Sequence, residues 1–426
     1  MLARIKDRNI WTIYVAILVV GVAYGISISL IAHHLDVRGF SKPEMGSLAA
    51  WFAFGIVVLS LPMGGMIRRF SAKATLVTCL AGYATTVSMF PGLDSFAALA
   101  VDRFFDGAFS VGIWVSCETI LLARAERGQK AYVTTLYAMA VAIGYVVGPL
   151  AAEGIVHAAS MPAAFLVSGA IAALATLIVL FRLDPDGPEM TGERAPALPE
   201  LQVSAASPYR EAPVRQRDHA PTAAELLVRI KTSCFATFAY GYFQASVVLF
   251  LPLYLVESKN IARDRTILIP FFFALGMLLF SNVAGRLGDK YGHLVVMRIL
   301  GVIGTCMVLG FILLDSYALM AAAVFVAGAT LAAISPVSLA LQGVVTAPAD
   351  YSRSNSIYNA FYAAGMLLGP KASSLLFARY GGGAMLLHLA ALWTAFVIFT
   401  VIFASDDPAA LSKRVARTFA SSTENA

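Results

Sequence analysis

Charged side chains are scarce in this sequence. Lys, Arg, Asp and Glu make up 13% of its 426 residues, about half the ~25% of a soluble domain. A chain so poor in charge and 59% hydrophobic cannot cover a globular surface with polar groups, which excludes an ordinary soluble fold. Cysteine is sparse too. Cys79, Cys117, Cys234 and Cys306 all fall inside apolar stretches without metal-type spacing. A disulfide scaffold is thereby excluded, and the four are expected as small buried packing residues. No Gly-x-x-x-x-Gly-Lys-[Ser/Thr] loop occurs, so primary pumping by this chain is not expected. No nucleophile–base pair or metal-ligand cluster emerges, so neither an enzyme nor a cofactor or metal site is expected. His33, His34 and Asp36 close the first apolar run, where a solvated helix end is expected rather than a metal site.

What is abundant is apolar sequence in runs of about 20 residues, each long enough to span a bilayer as a helix. Twelve are read, at about 10–32, 43–67, 74–93, 96–122, 130–153 and 162–182, then 231–256, 266–284, 292–314, 317–343, 355–378 and 384–404. The first is too long for a cleaved signal peptide and reads as an uncleaved span. An even number of spans puts both ends on one side. With the amino end cytoplasmic, Arg38, Lys42, Lys259, Arg263, Arg265 and Arg379 fall outside, and Arg103 and Lys371 within spans. All other Lys and Arg residues are cytoplasmic, and that asymmetry fixes both termini in the cytoplasm of a multi-pass protein of the cell inner membrane. The formal charge of +6 therefore reflects topology, and no nucleic-acid partner is expected.

The domains read as a first bundle over 1–182, a linker over 183–230, a second bundle over 231–404 and a tail over 405–426. The linker is proline-rich and without apolar period up to Pro221. Its end, Thr222–Lys231, is expected as a short amphipathic helix on the membrane surface.

The two bundles share a pattern. Gly285-Arg-Leu-Gly-Asp-Lys-Tyr-Gly-His293 reads as a tight basic turn between two apolar runs. At an offset of 221 lies a degraded copy, Gly64-Gly-Met-Ile-Arg-Arg-Phe-Ser-Ala-Lys73, in which Arg68 stands where the other has Asp289. The same offset relates Tyr137, Gly144, Gly148 and Pro149 to Tyr358, Gly365, Gly369 and Pro370, and Gly107 to Gly328. Glycines four apart permit close helix approach, and proline frees a carbonyl and bends a helix. These residues are therefore expected at packing and hinge positions, with those of span 11 in a rocking contact between the halves.

The basic turn resembles the signature loop between the second and third helices of each half of a major facilitator superfamily transporter. Arg103-Phe-x-x-Gly, Ile113-Trp-Val, Glu118-Thr and Leu368-Gly-Pro are similar to the YcaD-like branch of that superfamily. The resemblance covers about residues 10–404. It implies an all-α integral membrane protein of twelve transmembrane helices in two pseudo-symmetric six-helix bundles, working by alternating access. It also implies a cytoplasmic gate at Gly285, Asp289 and Lys290, with Arg353 as local partner, and with Arg69 pairing Glu118 or Glu126.

Span 4 is the most informative helix. Arg103, Asp106, Ser110, Trp114 and Glu118 recur every three or four residues and share a face, with Asp102 beside them. Charges inside a bilayer are costly unless paired or wet, and the resemblance implies that this helix lines the cavity. Arg103, Asp106, Asp102 and Glu118 are the candidates for proton coupling. Polar positions at helical spacing in spans 1, 7 and 10 are substrate-cavity candidates: Tyr24 and Ser27, Tyr240 and Gln244, and Ser335, Ser338 and Gln342, with Trp114. Lys371, after Gly369-Pro370, is expected at an outer gate, paired with Glu44 or Asp36.

The expected function is a secondary transporter, acting as a monomer, that exports small amphipathic organic compounds against protons. A proton-driven uptake symporter for a metabolite stays open. So does a non-transporting membrane sensor or assembly factor on the same scaffold.

Overall fold

The long apolar runs become helices because a chain in lipid must satisfy every backbone N–H and C=O internally. A computed structural model describes residue 5 and residues 7–125, 130–185, 221–346 and 350–407, apart from the side chains of 61, 68, 122, 130–132, 134, 135 and 351–353. Most of the linker, the tail, Glu126 and the side chains of Arg68 and Arg353 thus lie outside the described residues. The first half holds α1 (Arg8–Val37), α2 (Lys42–Phe70), α3 (Ala72–Met89), α4 (Phe96–Arg124), α5 (Lys130–Ala158) and α6 (Met161–Arg182). The second holds α7 (Ala223–Lys259), α8 (Ile269–Tyr291), α9 (His293–Phe311), α10 (Tyr317–Val345), α11 (Tyr351–Tyr380) and α12 (Gly382–Ile402). No strand occurs among the described residues.

Local sequence sets the helix starts. Asp7 caps α1 by accepting from the Asn9 N–H at 2.8 Å, and Ser95 and Ser160 do the same for α4 and α6. Ser41 with Glu44, and Thr222 with Glu225, form capping boxes on α2 and α7. Eleven of the long segments are apolar enough to cross a membrane by composition. The twelfth, α11, is less apolar, and it packs between α7 of its own half and α2 of the other. Packed on two helices, that part of its sequence answers to protein rather than to lipid, while Leu368 and Leu375 stay exposed.

Within the first half α1 pairs with α5, α2 with α4 and α3 with α6. The second half repeats this as α7 with α11, α8 with α10 and α9 with α12. The halves meet along α2–α11, α5–α8 and α1–α7. This is the two-bundle, pseudo-symmetric membrane fold, with its chemistry placed where the bundles face each other. The end where α1 starts and α12 finishes is here the terminus side, and the opposite end the far side.

Three local features differ from expectation. The motif over 285–291 is not a turn: it forms the last two turns of α8, and Gly292 alone, at φ 105°, turns the chain into α9. Its counterpart in the first half is Ser71, at φ 81°. The amphipathic stretch over 222–231 is no separate surface helix, because α7 runs unbroken from Ala223 to Lys259. No Gly or Pro interrupts it before Gly241, and Lys231 is anchored at 2.7 Å to Asp406. Of the cysteines, Cys79, Cys117 and Cys234 are buried, but Cys306 is exposed on α9. In α10, residues Gly328–Ala332 widen into a π turn, a device that re-aims the side chains that follow it.

Candidate functional site

The centre of the first half is built on α4. The Arg103 guanidinium donates to the Asp106 carboxylate and lies 4.3 Å over the Phe52 ring of α2. One turn on, Ser110 Oγ donates to the Asp106 carbonyl at 2.6 Å and accepts from the Tyr24 hydroxyl of α1. Tyr24 stacks on Tyr83 of α3 at 4.2 Å between centroids, and Tyr83 Oη lies 3.3 Å from Ser27 Oγ. Trp114 and Tyr145 close the aromatic ring at 5.5 and 6.4 Å from Tyr24. The helical spacing of 103, 106, 110 and 114 brings these groups to one face, and a paired, hydrogen-bonded charge is the form in which an arginine survives among apolar helices. Asp102 is also buried, and its Oδ2 has no hydrogen-bond partner. Glu118 is exposed, within electrostatic reach of Tyr137.

The facing half of the site is uncharged. Tyr362 of α11 stacks on Tyr240 of α7 at 6.0 Å and donates to Gln244 Oε1 at 2.9 Å. Tyr358 Oη lies 2.9 Å from Ser338 Oγ and donates to the Ser335 carbonyl at 3.1 Å. Gln342 donates to Ser354 Oγ at 3.0 Å. Tyr145 links the two halves, within electrostatic reach of Asp106 on one side and of Tyr362 on the other. The expected polar residues of spans 1, 4, 7 and 10 therefore converge. Sequence reasoning missed Tyr83, Tyr145, Tyr358 and Tyr362, which complete the aromatic lining. Tyrosine in a membrane helix was the available signal, since its hydroxyl needs a partner away from lipid. Among the described residues no group of three or more His, Cys, Asp or Glu is placed to hold a metal ion.

On the far side the halves are tied together. Asp36 of α1 bonds Arg263 across the interface at 2.6 Å and lies 3.9 Å from Lys42, and Lys42 in turn bonds Glu257 at the end of α7. His33 is fully buried, with Nε2 2.7 Å from Thr266 Oγ1 of the other half, and His34 packs on Phe90 and Phe165. The expected solvated helix end is thus wrong: α1 continues to Val37, so both rings fall inside the bundle. Lys371 crosses the interface as well, but it donates to Ser47 Oγ at 2.7 Å rather than to a carboxylate. Asp36 is taken by the two cations above, and Glu44 caps its own helix through Ser41.

On the terminus side the ion pairs among the described residues stay within one half: Arg8–Asp184, Arg124–Asp7 and Lys231–Asp406. Asp289 faces His293 of its own half at 3.3 Å. Lys290 lies over the Tyr291 ring, and Arg69 over the Phe70 ring rather than against Glu118. The halves are joined by ion pairs and hydrogen bonds on the far side, whereas no ion pair among the described residues joins them on the terminus side.

The glycines mark helix crossings. A Cβ on Gly25 would meet Gly148 Cα of α5 at 2.8 Å, and one on Gly144 would meet Gly21 Cα at 2.6 Å. Gly365 and Gly369 press on Phe238 and Tyr242 of α7. The span-11 glycines therefore serve a crossing inside their own half. Pro370 instead packs its carbonyl against Gly46 of the other half, where a Cβ would lie 2.6 Å from the oxygen.

The sequence model described as Major Facilitator Superfamily matches residues 12–231 and 233–423. The chain is 22% identical over 391 residues to the MFS-type transporter YfkF of Bacillus subtilis (strain 168), covering 89% of this chain and 92% of the relative. It is 21% identical over 408 residues to the MFS-type transporter YcaD of Salmonella dublin, covering 94% and 97%. In structure it is similar to the nucleoside transporter NupG, with a TM-score of 0.73 at 12% identity, over 93% of this chain and 99% of that one. It is also similar to a bacterial homolog of the human lysosomal transporter Spinster in an inward-facing and occupied conformation. That TM-score is 0.69 at 14% identity, over 95% and 96%.

Proposed function

This chain belongs to the Major Facilitator Superfamily, a family of non-enzymatic transporters, and we propose that it is a proton-coupled exporter of small amphipathic organic compounds. It works from the cell inner membrane with both termini cytoplasmic, as the distribution of Lys and Arg requires. The far side is then the outer side, and the contacts that join the halves there form the outer gate. One observation carries the reading. A buried Arg103–Asp106 pair stands against an otherwise neutral ring of tyrosines at the face between the two halves. The tyrosine faces suit apolar and aromatic solute surface, and Gln244 and the serines supply hydrogen bonds without charge. The carboxylates of α4 give the cycle an ion to exchange, and rocking of the bundles exposes the site to each side in turn.

The test is proton movement in everted membrane vesicles, followed with a pH-sensitive dye while candidate compounds are added. A transported compound releases protons from the acidified lumen of wild-type vesicles, and Asp106→Asn abolishes that release. Accumulation driven by the same gradient would turn the reading to uptake. Transport without proton movement would assign a different coupling ion. Loss of function on truncating linker or tail, with Arg103 and Asp106 variants fully active, would assign a sensor or assembly role.

A further inference from the structure

The two aspartates of α4 are not equivalent, and we propose that Asp102, not Asp106, carries the coupling proton, with Asp106 as the standing partner of Arg103. The inference rests on the proton-coupled reading above and deepens it.

Charge counting comes first. Asp102, Arg103 and Asp106 occupy little more than one turn of α4, are each largely buried, and sum to one net negative charge if both acids are ionised. The groups that face them cannot neutralise it. Tyr24 of α1, Tyr83 of α3 and Tyr145 of α5 are uncharged, and α2 presents the Phe52 ring. The ionisable groups of α2 nearest the far side are engaged elsewhere, Lys42 with Glu257 and Glu44 with Ser41. Glu118, the next acid along α4, is 16 residues away, about 24 Å by helical rise. An uncompensated charge between helices costs several kcal/mol, so the trio holds one proton.

Geometry then says which acid holds it. Asp106 has the guanidinium on one oxygen and Ser110 within 3.5 Å of the other. The guanidinium contact is the one that favours the ionised form, since the Ser110 hydroxyl gives its proton to the Asp106 carbonyl. Asp102 is 8% exposed, and its Oδ2 is buried without a partner. A neutral carboxyl tolerates that position far better than a carboxylate does. Asp102 also lies six residues from the far-side start of α4, about 9 Å down the helix. Opening the far side brings water to it, and the carboxylate takes its proton from hydronium. Closing the far side, as here, seals the neutral acid beside the tight α2–α4 crossing, where Gly55 and Gly107 press on Phe104 and Phe52.

Infrared difference spectroscopy of the full-length protein in liposomes tests this directly, because the carbonyl stretch of a protonated, buried carboxyl reports its proton through a pH series. Wild type should show one such band that disappears as pH rises. Asp102→Asn should lose it. Asp106→Asn should move its disappearance to lower pH, since Asp102 then inherits Arg103. Asp102→Glu should restore a band at a shifted frequency, which separates proton loss from misfolding. A band that survives Asp102→Asn with the same midpoint overturns the assignment, as does a wild type without any such band. The vesicle dye measurement distinguishes the two readings. A band that behaves as described, with no compound-driven proton movement in wild type, leaves the proton on Asp102 and removes the coupling.

Discussion

Asp36→Asn should open the far side. Asp36 is the one carboxylate that touches both Lys42 of its own half and Arg263 of the other. Its side chain is 20% exposed and that of Arg263 34%, so both bonds are partly screened. Exposed ion pairs contribute ~0.2–1 kcal/mol each. Only the bond to Arg263 joins the halves, so losing it shifts the balance between closed and open by ~0.2–1 kcal/mol, or about 1.4- to 5-fold. A population that is ~90% closed would become ~65–85% closed, well within reach of a distance measurement. Spin labels at Val37→Cys and Ser258→Cys, on a background without the native cysteines, place one probe on each half at the far side. Pulsed electron spin resonance in liposomes should then show a longer distance gaining weight in Asp36→Asn. In the parent, raising salt should do the same in part, because screening weakens exposed pairs. Asp94→Asn is the control. It removes an ion pair of the same kind, to Arg38, but within one half, so the distances should not change. Equal distributions in the parent and in Asp36→Asn would refute the reasoning, and would place the closure in packing around His33, Thr266 and Gly46.

Ser71→Gly should stabilise the protein by about 1 kcal/mol, because Ser71 sits at φ 81° and ψ 153°, where a Cβ is strained and glycine is not. The lost cap to the Ala74 N–H offsets only a few tenths of that. A thiol-reactive dye, reading the three buried cysteines as they emerge on heating, would show the gain, and Gly292→Ser should give a matching loss. Gly148→Val should cost about 1–3 kcal/mol through overpacking, since even a Cβ there would lie 2.7 Å from the Ile26 nitrogen. The expected readout is a lower unfolding temperature by the same assay, and Gly154→Val, where a Cβ meets open space, should leave it unchanged.

How much the sequence reveals depends on the kind of information. The spans and the two-fold repeat were legible, because hydrophobic length is a direct consequence of bilayer thickness and the glycine spacing repeats at one offset. The face of α4 was legible for the same reason: a helix places residues three and four apart together whatever surrounds them. The rest depends on neighbours. Tyr83, Tyr145, Tyr358 and Tyr362 become a lining only when α3, α5 and α11 converge with α1 and α7, and no spacing within one helix announces that. His33 read as solvated because a run of polar residues near a helix end ordinarily is, and only the partner Thr266, 233 positions away, reverses it. The 285–291 motif looked like a turn because it carries three glycines by residue 292, but a helix tolerates two of them and needs only the last to stop.

The internal repeat itself separates scaffold from chemistry. At the offset of 221, the α2–α4 crossing formed by Phe52, Gly55, Phe104 and Gly107 returns residue for residue as Phe273, Gly276, Phe325 and Gly328. Both sets put a glycine on the opposing phenylalanine backbone. Gly144 and Gly148 return as Gly365 and Gly369. The site does not repeat. Asp102, Arg103, Asp106 and Ser110 correspond to Ala323, Val324, Ala327 and Leu331, while Tyr362 and Gln244 correspond to Val141 and Ala23. The two kinds of position answer to different demands. Close backbone approach admits only the smallest residue, so both halves keep glycine where helices cross. At the site, buried charge is admitted only where it is used, because each ion pair taken out of water must be compensated, and there the first half carries it. A two-fold scaffold with one charged and one neutral face holds its ion on the first bundle and presents hydrogen bonds and rings from the second. Moving the charge should not be neutral: Ala327→Asp would bury a carboxylate among apolar second-half side chains such as Phe243 and Phe311, and a lower unfolding temperature by the same dye assay would show the cost.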